Sequence, residues 1–166
     1  MTIQGITASA QISAPAATLY ASIADYRGGR PCILPRQFFA GLEEEQGGIG
    51  AGTRLRFQMR AMGTTRNFRC LVSEPVPRPV LAEINVEAAS GTGEPDWASG
   101  SVTTFTVDPL ERGRQAQVTI STELKARAGP AGWIERVLTA SFLRRVFAQE
   151  LQRLATVAEA RSREPG

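Results

Sequence analysis

Acid–base chemistry near neutral pH is most often carried by histidine, and this 166-residue sequence has none. What remains is a set of carboxylates, arginines and hydroxyls. Glu83, Glu87 and Glu123 alternate out of phase with the apolar residues around them. That predicts solvated side chains in weak surface ion pairs with Arg54, Arg56 or Arg60. Asp25 closes a helical pattern just before Gly28-Gly29 and reads as a turn or capping residue rather than a base. Ser141 sits in no G-x-S-x-G and has no histidine to activate it. Arg144 falls within an apolar stripe, one turn after Ala140 and one before Phe147. A guanidinium there cannot act as a base. It can clamp a carboxylate or phosphate, or its long stem can carry the charge out to solvent. Tyr20, Tyr26, Thr103 and Thr122 could offer neutral hydrogen bonds inside a cavity or simply bond the nearby backbone. None of these residues is assigned a catalytic role.

The remaining composition excludes several classes of function. Cys32 and Cys70 lie far apart and form no C-x-x-C pair; without histidine, a zinc site of the usual Cys/His kind is excluded. The expectation is two reduced, buried thiols, with no metal and no cofactor. The net charge of +3 is nearly all arginine and scattered, whereas a nucleic-acid face needs clustered charge, so no nucleic-acid partner is expected. The glycine-rich Gly47–Gly52 lies between two strand patterns, as a hairpin loop and not as a phosphate cradle. No stretch reaches eighteen consecutive apolar residues, and the N-terminus lacks a positive-then-apolar run. A cytoplasmic protein with no stable membrane insertion is the expectation.

The elements that must position these residues follow from periodicity. Ile6, Ala8, Ala10 and Ile12 alternate with polar residues, giving a first strand over 5–12. Ser13-Ala14-Pro15 then opens a helix over Ala16–Tyr26, with Ser13 or Ala14 near its cap. Residues 30–39, twice interrupted by proline, predict a short irregular helix or ordered loop. From residue 40 to 124 the period is two, with strands over 41–46, 53–62, 65–74, 80–88, 101–108 and 115–124. Their predicted inner sets include Leu55, Phe57, Met59 and Ala61; Phe68, Cys70 and Val72; and Val80, Ala82, Ile84, Val86 and Ala88. Ser90–Gly100 is the longest loop and carries Trp97. Finally, Pro130–Arg161 contains no helix breaker after Gly132 and shows a stripe of Trp133, Val137, Ala140, Phe147, Leu151, Leu154 and Ala158.

Short turns between strands imply an antiparallel meander. A sheet with one apolar face needs one cover, and only the closing helix is long enough. The predicted fold class is therefore α+β: about seven antiparallel strands curved around a long C-terminal helix, as a single domain over 1–166.

That order of elements resembles the START-like helix-grip (SRPBCC) superfamily, and several segments resemble its polyketide cyclase/dehydrase branch. They are Ile12-Ser13-Ala14-Pro15-Ala16 with Leu19-Tyr20 and Ile23-Ala24-Asp25-Tyr26, Gly50-Ala51-Gly52-Thr53, Ser73-Glu74-Pro75 and Thr103-Thr104-Phe105-Thr106-Val107. Gly132 and Phe147–Leu154 complete the set. The resemblance implies a cavity between the sheet and the N-terminal half of the helix. Its expected lining is Phe57, Met59, Phe68, Cys70, Ile84, Val86, Phe105, Val118 and Ile120 facing Trp133 and Val137, with Tyr26, Thr103 and Arg144 as polar contacts. The function expected is binding or transport of a small hydrophobic molecule such as a lipid or polyketide. The alternative is a cyclase or dehydratase-like enzyme that works by positioning. An ordinary filled core and a ligand-free interaction module with an apolar Trp97 loop also remain open.

Overall fold

The computed structural model describes residues 2–61, 63–75, 80–87, 94–126 and 130–163, with side chains described for all of these except 2–4, 61, 99, 124–138 and 162. The first strand, β1 (Thr2–Ile12), buries Ile6 and Ile12 on the face predicted from its alternation. Two helices follow, α1 (Ala16–Ala24) and the single-turn α2 (Gly29–Ile33). Pro15 itself is the residue that caps α1, and no side chain assists it. Six strands then run β2 (Phe39–Gln46), β3 (Arg54–Ala61), β4 (Thr64–Ser73), β5 (Val80–Glu87), β6 (Ser101–Leu110) and β7 (Gln115–Ala126). The 34-residue helix α3 (Pro130–Arg163) closes the chain.

The strands form one seven-stranded sheet in the order β1-β7-β6-β5-β4-β3-β2, antiparallel at every pairing. The first strand thus lies beside the last, and β1 and β2 occupy opposite edges. The α1–α2 connection has to cross from one edge to the other. At 1.5 Å per residue α3 is about 50 Å long, and it packs on β1, β7 and α2. Leu151, Leu154 and Ala158 of α3 are buried in one core with Ile6, Ile12, Leu19, Ile23, Val118 and Ile120. Each such aliphatic side chain larger than alanine contributes about 1.5–3 kcal/mol of burial free energy. Among the described residues, no helix is long and apolar enough to cross a membrane.

Two expectations need correction at this level. In β5 the inner set is the opposite one: Leu81 and Glu83 are buried on the concave side, whereas Ile84 and Val86 are half-buried on the convex side. The physical reason lies in the segment before β6. A 3₁₀ turn over Trp97–Ser99 packs on β5, bringing Gly100 against the outward methyl groups of Ile84 and Val86. Apolar residues on that face are thus sheltered by chain and not by the core. Ala88, in the same predicted set, lies outside the described residues. The second correction concerns the thiols: Cys70 is buried, but Cys32 is exposed on α2.

Candidate functional site

α1 and α2 join through a tight turn that places the site's charged group. Asp25 accepts backbone N–H bonds from Arg27, Gly28 and Gly29 at 3.1, 3.2 and 3.1 Å, which is the turn role read from its position. Gly29 is required by close approach, since a Cβ there would lie 2.5 Å from the Ser22 carbonyl oxygen. Tyr26 is held by its N–H to the Gly48 carbonyl at 2.8 Å, tying the turn to the loop between β2 and β3. The next helix, α2, then points Arg30 inward, where it is only 3% exposed.

Arg30 sits at the centre of a buried polar cluster drawn from four elements. Its Nη2 lies 3.1 Å from Glu83 Oε1 of β5 and 2.9 Å from Glu150 Oε1 of α3. The Glu150 contact is an ion pair without a directed hydrogen bond, because Glu150 Oε1 lacks a hydrogen-bond partner among the described residues; the other terminal nitrogen, Arg30 Nη1, lacks one too. The guanidinium lies over the Phe105 ring, with Cζ 4.0 Å from its centroid. Tyr26 Oη donates to Glu83 Oε1 at 2.5 Å. Thr103 and Thr122 share a hydroxyl–hydroxyl bond of 3.0 Å nearby in the lining.

Burial sets the protonation of this cluster. It works against the charge on Arg30, but Glu150 and Glu83 outweigh it and hold the guanidinium more firmly protonated than usual. Burial pushes the Glu150 carboxyl up to about 7, with Arg30 pulling it back and Glu83 adding to the rise. Burial, and then the neighbouring Glu83, raise the Tyr26 phenol and the Cys70 thiol well above their ordinary values. Both therefore keep their protons at neutral pH.

The cluster forms the inner end of a cavity of about 290 Å³ between the sheet and α3. That is close to the lower end of the usual range for small-molecule pockets, about 300–1,000 Å³. Six phenylalanines stand in its wall: Phe39, Phe57, Phe68, Phe105, Phe142 and Phe147. Phe57 stacks on Phe68 with centroids 5.5 Å apart, and Phe39 tilts against Phe57 at 5.8 Å. Burial rises along β4 from exposed Arg66 through half-buried Phe68 to buried Cys70. The cavity therefore opens toward the β3–β4 turn and closes at the Arg30 cluster.

Of the residues expected to line it, Tyr26, Phe57, Met59, Phe68, Cys70, Thr103 and Phe105 do so. Ile84 and Val86 do not, because of the β5 phase described above; Glu83 and Asn85 take their places. Val118 and Ile120 are buried core residues beside the cavity rather than in its wall. The side chains of Trp133 and Val137 lie outside the described residues. Arg144 is exposed. The cavity side of α3 at that level carries Thr139, Phe142 and Leu143, and Val146 is buried beside them. At 3.6 residues per turn this leaves Arg144 on the solvent edge. The cavity also reaches further along α3 than expected, to Phe147 and Glu150.

Three residues that define the site escaped the sequence reading. Glu83 was expected to be solvated, and only Glu87 and Glu123 of that trio are exposed. The convex-face arginines do form ion pairs, but Arg54 pairs with Glu94, and Arg56 and Arg69 pair with Glu45. Glu150 follows Phe147 by three residues and precedes Leu154 by four, a spacing that marks an inward position. Arg30 carries no local signal of any kind. Trp97 is half-buried and donates its Nε1–H to Glu94 at 2.9 Å, so its ring does not lie free on the surface.

The curved antiparallel sheet gripping a long C-terminal helix, with a cavity between them, defines a helix-grip protein. Residues 4–159 match the profile of the family described as polyketide cyclase/dehydrase and lipid transport, and the chain belongs to that family. No curated protein matches the sequence. Among solved structures, the solution structure of KanY protein is similar with a TM-score of 0.77 and 25% identity, covering 96% of this chain and 99% of that one. The Zhui aromatase/cyclase from Streptomyces sp. R1128 has a TM-score of 0.77 at 16% identity, covering 99% of both chains. A START superfamily protein from Mycobacterium smegmatis has a TM-score of 0.67 at 13% identity, covering 94% of this chain and 97% of that one. The last two are likenesses of fold.

Proposed function

We propose that the protein binds a small hydrophobic molecule in the cavity between sheet and helix, as a cytoplasmic carrier or sensor. The observation that carries this reading is the cavity itself: about 290 Å³ of space with an aromatic wall, open at one end and polar at the other. A core built only for stability would be filled, since interiors pack to crystal-like density with few voids larger than a water molecule. The family's description, which includes lipid transport, agrees with it. The test is binding of the neutral lipophilic dye Nile red, together with native mass spectrometry of protein purified from its own host. Binding that is lost in Met59→Trp, which fills the lining, and kept in Arg144→Ala, which lies outside it, supports the reading. A folded protein that takes up neither dye nor any host molecule defeats it.

A second reading, a cyclase or dehydratase-like enzyme, is favoured by a specific observation. Glu150 is a carboxyl with a pKa of about 7 in the cavity lining, the range in which a side chain can both take and give a proton at neutral pH. Tyr26, hydrogen-bonded to Glu83, stands in the same lining as a second proton-bearing group. Turnover of a poly-β-keto analogue, lost in Glu150→Gln and in Tyr26→Phe, would support it. An unchanged product distribution with wild-type protein would refute it.

A further inference from the structure

The inner end of the cavity has an unusual inventory of unused hydrogen-bonding groups. Arg30 Nη1 is a buried donor and Asn85 Oδ1 a buried acceptor with no hydrogen-bond partner among the described residues, and Glu150 Oε1, though ion-paired with Arg30 Nη2 at 2.9 Å, accepts no directed hydrogen bond. All three belong to side chains that line the cavity. The orientation of the Asn85 amide is fixed by chemistry, because its nitrogen faces the Glu83 carbonyl oxygen at 3.4 Å and only an N–H can donate to a carbonyl. The set without a directed hydrogen bond is therefore one donor and two acceptors, of which Glu150 Oε1 is held by its ion pair alone. Leaving such groups unpaired in a buried site is costly, so a ligand that satisfies them gains affinity.

The charge balance points the same way. Arg30 Nη2 already faces both Glu83 and Glu150, so the fork that would grip a carboxylate in two parallel bonds is half taken. A carboxylate head would bring a third carboxyl group to a single guanidinium. It is also an acceptor-only group and would meet two acceptors with nothing to offer them. A hydroxyl is both donor and acceptor: its oxygen can receive Arg30 Nη1–H while its proton goes to Asn85 or Glu150.

Resting on the ligand-binding reading above, we infer that the cavity selects an apolar molecule with an uncharged hydroxyl-bearing head, a phenol or alcohol, and rejects the corresponding carboxylate. Arg30 is thus a neutral-head anchor and not an anion clamp. The ligand's body lies along Phe57 and Phe68, and its hydroxyl sits among Arg30, Asn85 and Glu150.

The experiment is displacement of Nile red at pH 8, where Glu150 is ionised, by three matched probes: 2-naphthol, 2-naphthoate and naphthalene. One or two net hydrogen bonds are worth about tenfold in affinity. The expected result is that 2-naphthol displaces the dye at about one tenth the concentration needed for either of the others. In Asn85→Leu, which keeps a side chain of similar volume, the gap between 2-naphthol and naphthalene should close to about threefold or less. If 2-naphthoate binds as well as 2-naphthol or better, the inference is overturned while the cavity reading stands. Equal binding of naphthalene and 2-naphthol also overturns it, since the polar end then does nothing. If the dye itself does not bind, both readings fall together.

Discussion

Glu150 offers the sharpest test of the site's electrostatics. Its carboxyl is buried beside a guanidinium, so two effects oppose each other: desolvation favours the neutral acid, and Arg30 favours the carboxylate. Desolvation wins, lifting the pKa from the ordinary 4.5 to about 7. A carboxyl whose pKa is raised on folding binds its proton more tightly in the native state. Its contribution to stability is therefore complete below about pH 4.5 and is lost as pH rises through about 7. The gap corresponds to about 3 kcal/mol, of which about 2–3 kcal/mol falls between pH 5 and pH 8. The chain has no histidine, so that window holds few other titrations. The perturbation is Glu150→Gln, a neutral side chain of nearly the same shape. Urea unfolding of both proteins at pH 5, 6, 7 and 8 gives a difference curve in which wild type loses about 2–3 kcal/mol relative to the variant as pH rises. Parallel curves, agreeing within about 0.5 kcal/mol throughout, would mean that Glu150 is ionised across the window and that Arg30 outweighs burial. The reasoning about the cluster would then be wrong.

Two further substitutions probe the cluster and the element that shelters β5. Arg30→Met removes the only cation facing Glu83 and Glu150 among the described contacts and should cost about 3–5 kcal/mol, as breaking a buried ion pair does. Urea unfolding at pH 7 measures it, and adding Glu83→Gln with Glu150→Gln should recover most of the loss. A single variant as stable as wild type would show that the cluster is solvated. Gly100→Ala would put a Cβ 2.8 Å from Ile84 Cγ2 and 2.9 Å from the Asn85 carbonyl oxygen. Backbone cannot step aside as a side chain can, so a loss of about 1–3 kcal/mol is expected. An unchanged unfolding midpoint would mean that the segment before β6 does not press on β5.

The fold was legible because each element carries its own local signal. Period-two alternation marked the strands, glycine and proline marked the turns, and an unbroken stripe marked α3. Those signals act over a few residues and survive whatever the rest of the chain does. The wall contributed by β3, β4 and β6 was legible for the same reason, since Phe57, Met59, Phe68, Cys70, Thr103 and Phe105 keep the phase of their strands. β5 broke the rule because both its faces are covered. Its outward Ile84 and Val86 are more apolar than its inward Glu83 and Asn85, so alternation gave the right period and the wrong phase. Glu150 was masked by its charge, although its spacing from Phe147 and Leu154 points inward. Arg30 could not be found at all, because its burial depends on α2, β5, β6 and α3 meeting at one point.

Arg30, Glu83 and Glu150, which the sequence reading missed, share one physical character: each is a charged group at a position that packing alone would fill with an apolar one. Burying Arg30 with Glu83 and Glu150 is an expensive way to stabilise a core. Replacing such a triad by well-packed apolar residues is often neutral or stabilising. Stability therefore does not account for its presence. A cluster placed elsewhere in the core could be argued to fix register or exclude alternative packings. This one lies at the closed end of a cavity, with one donor and two acceptors left without a directed hydrogen bond. A purely structural network is expected to be fully satisfied, since a half-satisfied one is worse than an apolar core. The incomplete satisfaction, more than the burial or the charge, is the ground for assigning ligand discrimination to Arg30, Asn85 and Glu150 rather than to the aromatic wall. That wall can hold an apolar body of many shapes but distinguishes poorly between its polar ends.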